Sequence, residues 1–220
     1  MRTFERLSAL PAILLMTSLL AACTTTSSKI PETTPARVIN QTDALRYAAP
    51  KGEKFDVAPV DVSKIDPKYL RQLVDYPTDQ PPGTVVVDAH NRFLYLVQAG
   101  GKALRYGVGV GKEGLEFTGT ANVGYKREWP RWTPTQNMIK REPDRYKQWA
   151  GGMEPGSTNP LGARALYLFK DGKDTLYRIH GTTEPQSIGR AVSSGCIRLL
   201  NQDVIDLYNR IPPGSKVVVL

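Results

Sequence analysis

HGTTEPQSIGRAVSSGCIRL, residues His180 to Leu199, opens on one of the two histidines of this 220-residue chain and contains one of its two cysteines. His180 and Cys196 lie 16 positions apart, far beyond one helix face. The spacing suits two neighbouring segments joined by a glycine-punctuated loop. His180 then closes the strand DTLYRIH, and Cys196 sits in the turn Ser193-Ser194-Gly195-Cys196. Such a fold brings an imidazole to a thiol. A free thiol, with a pKa of roughly 8.5, is only slightly ionised near neutral pH, and an adjacent imidazole raises the thiolate fraction. The backbone N–H groups of Gly195 and Cys196 are candidates for holding an oxyanion, because glycine permits turns that aim successive amides to one side. Arg198 lies on the same face as Cys196 if the chain is extended there, where a guanidinium suits a substrate carboxylate. The residue types alone fit equally well a buried structural cysteine, a strand-capping histidine and a surface arginine.

The ordered set His-Gly-Thr, Ser-Ile-Gly-Arg-Ala-Val-Ser and Gly-Cys-Ile-Arg-Leu resembles the active-site signature of the L,D-transpeptidase (YkuD-type) catalytic domain. The resemblance implies a mostly β (α+β) architecture, a single sandwich-like catalytic domain with a few short helices. It also implies a cysteine nucleophile, Cys196, served by His180. The acyl donor implied is a peptidoglycan tetrapeptide stem, cleaved between the L-centre of diaminopimelate and the terminal D-Ala. An acceptor amine then resolves the thioester without ATP. Gly181, Ser193 and Ser194 are assigned to the substrate-binding surface with Arg198, and a backbone carbonyl near Gly181 is the candidate for orienting His180. Ser194 stands where many relatives carry His, a departure confined to that side chain. The same acyl-enzyme chemistry serves wall crosslinking, hydrolysis or attachment of an outer-membrane protein, and a non-catalytic peptidoglycan-binding module is the alternative outside enzymes.

Outward from this signature, TVVVDA, RFLYLVQ and KALRYGVGVG read as strands of a meander, with turns at His90-Asn91 and Gly100-Gly101. In the resembled family this place carries a hairpin, a Gly-rich strand and a Thr-Gly-Thr element, here Thr118-Gly119-Thr120. Gly107, Gly109 and Gly111 lack the spacing of a dinucleotide fingerprint. WPRWTPTQNMIKREPDRYKQW reads as an irregular helix-containing flap, its tryptophans Trp129, Trp132 and Trp149 serving either the core or a substrate groove. DPKYLRQLVDY reads as a short helix started by Asp66 and Pro67. Asn201 is the expected cap of a helix over QDVIDLYNR, Pro212-Pro213-Gly214 its stop, and KVVVL the closing strand.

Residues 1–22 read as a signal peptide: Arg2 and Arg6 precede an apolar run too short to span a membrane. Leu20-Ala21-Ala22-Cys23 resembles a bacterial lipobox, whose cysteine is diacylated, so the expected partners include a membrane reached through lipid on Cys23. Cleavage at an unrelated site nearby is the competing reading. Thr24, in place of the Asp that favours inner-membrane retention, implies the periplasmic face of the outer membrane if the host is Gram-negative. Residues 23–36 read as a flexible tether, 37–83 as an arm packing on the domain, and 84–220 as the domain itself. Lipid on Cys23 leaves Cys196 the only free thiol of the mature chain and excludes an intramolecular disulfide. His90, His180 and Cys196 show no metal-motif spacing, and neither a metal nor a cofactor is expected. The net charge of +8 favours anionic wall polymer and lipid, with nucleic acid not a partner of an exported chain. Replacing Cys23 by Ser should abolish incorporation of labelled fatty acid; persistent labelling would refute the lipobox.

Overall fold

The computed structural model describes residues 39–112 and 117–220. The signal peptide, Cys23, the whole tether and the first two residues of the arm lie outside the described residues. In chain order the elements are α1 (Gln41–Arg46), β1 (Gln72–Asp75), β2 (Val85–Asp88), β3 (Phe93–Gln98), β4 (Lys102–Gly107), β5 (Val110–Gly111) and β6 (Gly119–Glu128). These are followed by α2 (Gln136–Arg141), α3 (Pro143–Tyr146), β7 (Arg164–Lys170), β8 (Lys173–His180), β9 (Ala191–Ser193), β10 (Ile197–Arg198), α4 (Asn201–Arg210) and β11 (Lys216–Val219). The architecture is mostly β with a few short helices. One sheet runs β1-β4-β3-β2-β11-β6-β7-β8-β10, and β5 pairs with β9 apart from it.

The apolar run Val85–Val87 is buried because β2 lies between β3 and β11. Val217 and Val219 of β11 enter the same core, together with Leu94, Leu96, Leu166, Leu168 and Ile179. Helix α4 closes one face with Val204 and Leu207, three positions apart and therefore on one side. Lys126 of β6 donates to the terminal carbonyls of that helix at Tyr208 (2.6 Å) and Ile211 (2.8 Å). Ile211 is extended, as a residue before proline prefers, and ends the helix.

Two local expectations change. DPKYLRQLVDY does not form a helix: Pro67–Tyr69 is a single 3-10 turn, and Gln72–Asp75 extends as β1 against β4. Leu70 is buried beneath this switch, so burial and edge pairing override a pattern too short to hold a helix alone. Asn201 is not the cap of α4 but its first residue. Its side chain accepts from the Ala163 N–H (2.9 Å) and donates to the Thr182 carbonyl (3.0 Å). The three neighbouring glycines have another explanation than nucleotide binding: Gly107 and Gly111 lie in strands, and Gly109 bridges to Arg198 with no helix following.

Residues 39–83 are joined to the sheet at buried polar contacts as well as through β1. The Tyr47 hydroxyl donates to the Asp203 carboxylate (3.0 Å) and accepts from the Arg71 N–H (2.7 Å). Asp203 is fully buried in α4, and burial pushes its carboxyl up to about 7 against the opposing pull of Arg71 and Tyr47. A carboxyl raised from 3.8 contributes stability that is complete below its unfolded pKa and lost as pH rises through about 7. Tyr47→Phe should cost about 1–3 kcal/mol in urea unfolding, because it removes a hydrogen bond from the buried Asp203 carboxyl and takes the acceptor from the buried Arg71 N–H. The loss should be larger at pH 8 than at pH 5, where Asp203 is mostly protonated.

Candidate active site

The cavity that takes in both His180 and Cys196 has a volume of about 650 Å³. Parallel pairing of β10 with β8 sets Arg198 opposite His180 and Ile197 opposite Ile179. Ile179 and Ile197 point into the core, so alternation turns Cys196, Arg198 and His180 to the other face. The register thus brings together the three side chains that sequence placed in one site. Gly109 on the other flank exchanges two backbone hydrogen bonds with Arg198, at 2.7 and 2.9 Å, fixing this two-residue strand from both sides.

His180 is only 5% exposed, and its Nδ1 lies 2.6 Å from the Gly181 carbonyl oxygen. A carbonyl only accepts, so Nδ1 carries the proton and Nε2 keeps its lone pair for use as a base. Gly181 therefore acts through its backbone, and no side chain fits there: a Cβ would lie 2.1 Å from Asn201 Oδ1. Burial, reinforced by the positive charge of Arg198, pushes the imidazole down to about 3. Cys196 is half-buried, and burial also raises its thiol, opposed by the Arg178 N–H and by the charges of Arg178 and Arg198. Both shifts favour a neutral thiol beside a neutral imidazole at rest. This departs from the sequence expectation of an imidazole that enriches thiolate in the free enzyme.

The loop before Cys196 depends on Gly195, whose φ of 129° lies where side chains are strained. The Gly195 N–H donates to Ser193 Oγ (3.1 Å), and the Ser193 hydroxyl donates to the Cys196 carbonyl (2.7 Å). Ser193 is thus a buried brace of the turn with its hydroxyl committed, and the Gly195 amide is withdrawn from oxyanion binding. Among the described residues the Cys196 N–H has no acceptor, which keeps it as a donor for an oxyanion. Ser194 lines the cavity, its Oγ 3.4 Å from the Tyr146 hydroxyl of α3.

Arg198 is committed as well: its guanidinium holds Glu184 at 2.7 Å. Arg178 makes two bonds to Asp174, at 2.7 and 2.9 Å. Asp174 and Arg178 come together over a bulge in which Leu176 has φ 65° and turns its side chain outward, 59% exposed. The Cys196 thiol points to the Leu176 carbonyl, 4.0 Å from Sγ. Glu184, Arg178, Tyr146 and the loop-bracing Asn201 were missed in the sequence, since each matters through a partner distant along the chain. The tryptophans divide between the two expected roles. Trp129 is buried against Val57 and Ala163 and donates Nε1–H to Glu53 (2.9 Å), whereas Trp132 and Trp149 line the cavity.

A family model described as the L,D-transpeptidase catalytic domain, YkuD, matches residues 82–219. The probable L,D-transpeptidase ErfK/SrfK of Escherichia coli is 34% identical over 153 residues, covering 69% of this chain and 48% of that protein. The chain spans about half the length of the curated relatives it matches most extensively. Among solved structures, a Brucella melitensis protein described as a probable carnitine operon oxidoreductase is 52% identical, covering 73% of this chain and 99% of that one with a TM-score of 0.49. An Enterococcus faecium L,D-transpeptidase is 18% identical, covering 64% of this chain and 50% of that one with a TM-score of 0.47.

Because the thiol is raised and the imidazole lowered, the free enzyme should hold less thiolate at neutral pH than an ordinary cysteine does. Alkylation of Cys196 by iodoacetamide should therefore keep rising tenfold per pH unit from about pH 7 to about pH 9. A plateau beginning near pH 6 would reveal a thiolate–imidazolium pair instead.

Proposed function

Because the chain belongs to the L,D-transpeptidase catalytic domain family, we propose that it exchanges one peptide bond for another on peptidoglycan stem peptides through an acyl-enzyme on Cys196. The observation that carries this reading is the His180 Nδ1–H bond to Gly181, which leaves an unprotonated Nε2 in the cavity that also holds the thiol. The cavity volume of about 650 Å³ lies within the range of about 300–1,000 Å³ usual for ligand clefts.

In the first half-reaction the Cys196 sulfur attacks the carbonyl that joins the L-centre of diaminopimelate to the terminal D-Ala. Its proton passes to His180 Nε2 as the S–C bond forms. A neutral resting pair suits this order, since the lowered imidazole is unprotonated and the thiol need ionise only as it attacks. The Cys196 N–H faces the charge that develops on the carbonyl oxygen. Collapse breaks the C–N bond, and His180 returns the proton to the departing D-Ala amine. In the second half-reaction an acceptor amine attacks the thioester and gives its proton to His180. Sulfur then leaves and recovers that proton, so the peptide bond count is unchanged and no ATP is required. Arg198, held by Glu184, organises the site and adds positive potential beside the imidazole. The same reading places the chain outside the cytoplasm, tethered at the outer membrane by lipid on Cys23, with a second stem as acceptor.

A strained β-lactam carbonyl should acylate the same sulfur. Carbapenem treatment is expected to add one inhibitor mass to the protein in intact-mass spectra and none to Cys196→Ser. The serine variant should also lose at least about a thousandfold in stem-peptide exchange while keeping its thermal unfolding midpoint, because a hydroxyl is a far weaker acid than a thiol. Comparable exchange by the folded variant would remove covalent thiol catalysis.

A further inference from the structure

We propose that Arg141 and Arg145, carried by the flap, form the carboxylate-binding part of this cavity and make it select an acyl donor whose carboxylates are free over one in which the D-centre carboxylate of the diaminopimelate residue is amidated. The proposal rests on the transpeptidation reading above and assigns it a donor class.

Among the described residues, three arginines line the cavity, Arg141, Arg145 and Arg198, against a single carboxylate, Glu184. Glu184 lies 2.7 Å from Arg198 and neutralises it. Arg178, the other cation near the thiol, is neutralised by two bonds to Asp174. The positive charge left over is on the flap. There Arg141 ends α2, Arg145 lies in α3, and both lean on Glu142 at the break between them, at longer distances of 3.7 and 3.5 Å. The side chains of Arg141 and Arg145 are 36% and 57% exposed, and ion pairs this open are weak, so an incoming carboxylate displaces Glu142 at little cost.

The flap is also tied to the nucleophile's loop. Tyr146, adjacent to Arg145, reaches Ser194 at 3.4 Å, two residues before Cys196. The proposed donor has two carboxylates near the scissile bond: one on the leaving D-Ala and one on the D-centre of diaminopimelate. A pair of planar cations facing the cavity from one side matches two such groups. Amidation removes one charge and replaces an acceptor oxygen by a donor that repels a guanidinium.

The test compares disaccharide-tetrapeptide donors with a free and with an amidated D-centre carboxylate, at a fixed saturating concentration of a D-amino acid acceptor. The wild-type protein should favour the free donor about tenfold in kcat/KM, the amount expected for one charge-assisted contact that is partly open to water. Arg141→Gln or Arg145→Gln, whichever arginine faces that carboxylate, should bring the ratio towards one, mainly by raising KM for the free donor. The matching Lys variant should keep part of the preference, which loss of flap structure would not allow. Turnover of both donors with no preference, or a preference that survives both Gln substitutions, would overturn the clamp while leaving transpeptidation in place. Turnover of neither donor by folded wild-type protein whose Cys196 remains reactive toward iodoacetamide would overturn the transpeptidation reading, and the clamp with it.

Discussion

Parallel pairing of β10 with β8 is the constraint on which the site depends. Two strands in one direction cannot be joined by a tight turn, so the chain between His180 and Ile197 has to travel back before it can run alongside. That return carries the 3-10 turn Pro185–Ser187 and strand β9, and it delivers Glu184 to Arg198. β10 is only two residues long, and two such residues do not hold a register alone. Gly109 bonds its free edge, and the Leu199 N–H donates to the His180 carbonyl at 2.8 Å. The interval between histidine and cysteine is thus the length of a crossover, and the chemistry follows from the register it enforces.

The electrostatics show two opposed pressures of unequal strength. Burial disfavours charge on both sulfur and imidazole, while Arg178 and Arg198 favour thiolate and disfavour imidazolium. For the imidazole both pressures act together and the shift is large. For the thiol they conflict, and burial prevails. A site of this kind favours the protonated form of its thiol, and a protonated thiol is less prone to adventitious oxidation than a thiolate.

Much of this was legible in the sequence where the information is local. The signature residues lie within twenty positions, alternation and turn residues marked β2, β3 and β4, and the backbone carbonyl expected near Gly181 to orient His180 is that of Gly181 itself, a residue otherwise assigned to substrate binding. The failures are non-local. Nothing near Asn201 in sequence reveals that its side chain bridges Ala163 and Thr182, and a capping residue before an apolar run has the same appearance. Arg198 looked available for a ligand because Glu184 lies fourteen positions away. Gly195 was read as freeing its amide, but the φ it permits turns that amide onto Ser193. The segment around Leu70 carried apolar residues compatible with either period, and only the edge of β4 decided between them.

The position of β11 has a consequence for how the molecule is made. Residues 216–219 fill the middle of the sheet, parallel to β2 and antiparallel to β6, so within this sheet the groups β1-β4-β3-β2 and β6-β7-β8-β10 are joined through them. A chain emerging N-terminus first holds β2 and β6 as exposed, unpaired edges until that segment arrives. Pairings that span most of the chain are slow to form, and open edges of valine-rich strand invite association between copies. Assembly of this sheet is therefore a late, all-at-once event, and the interval before it is when the polypeptide has most need of a holding chaperone.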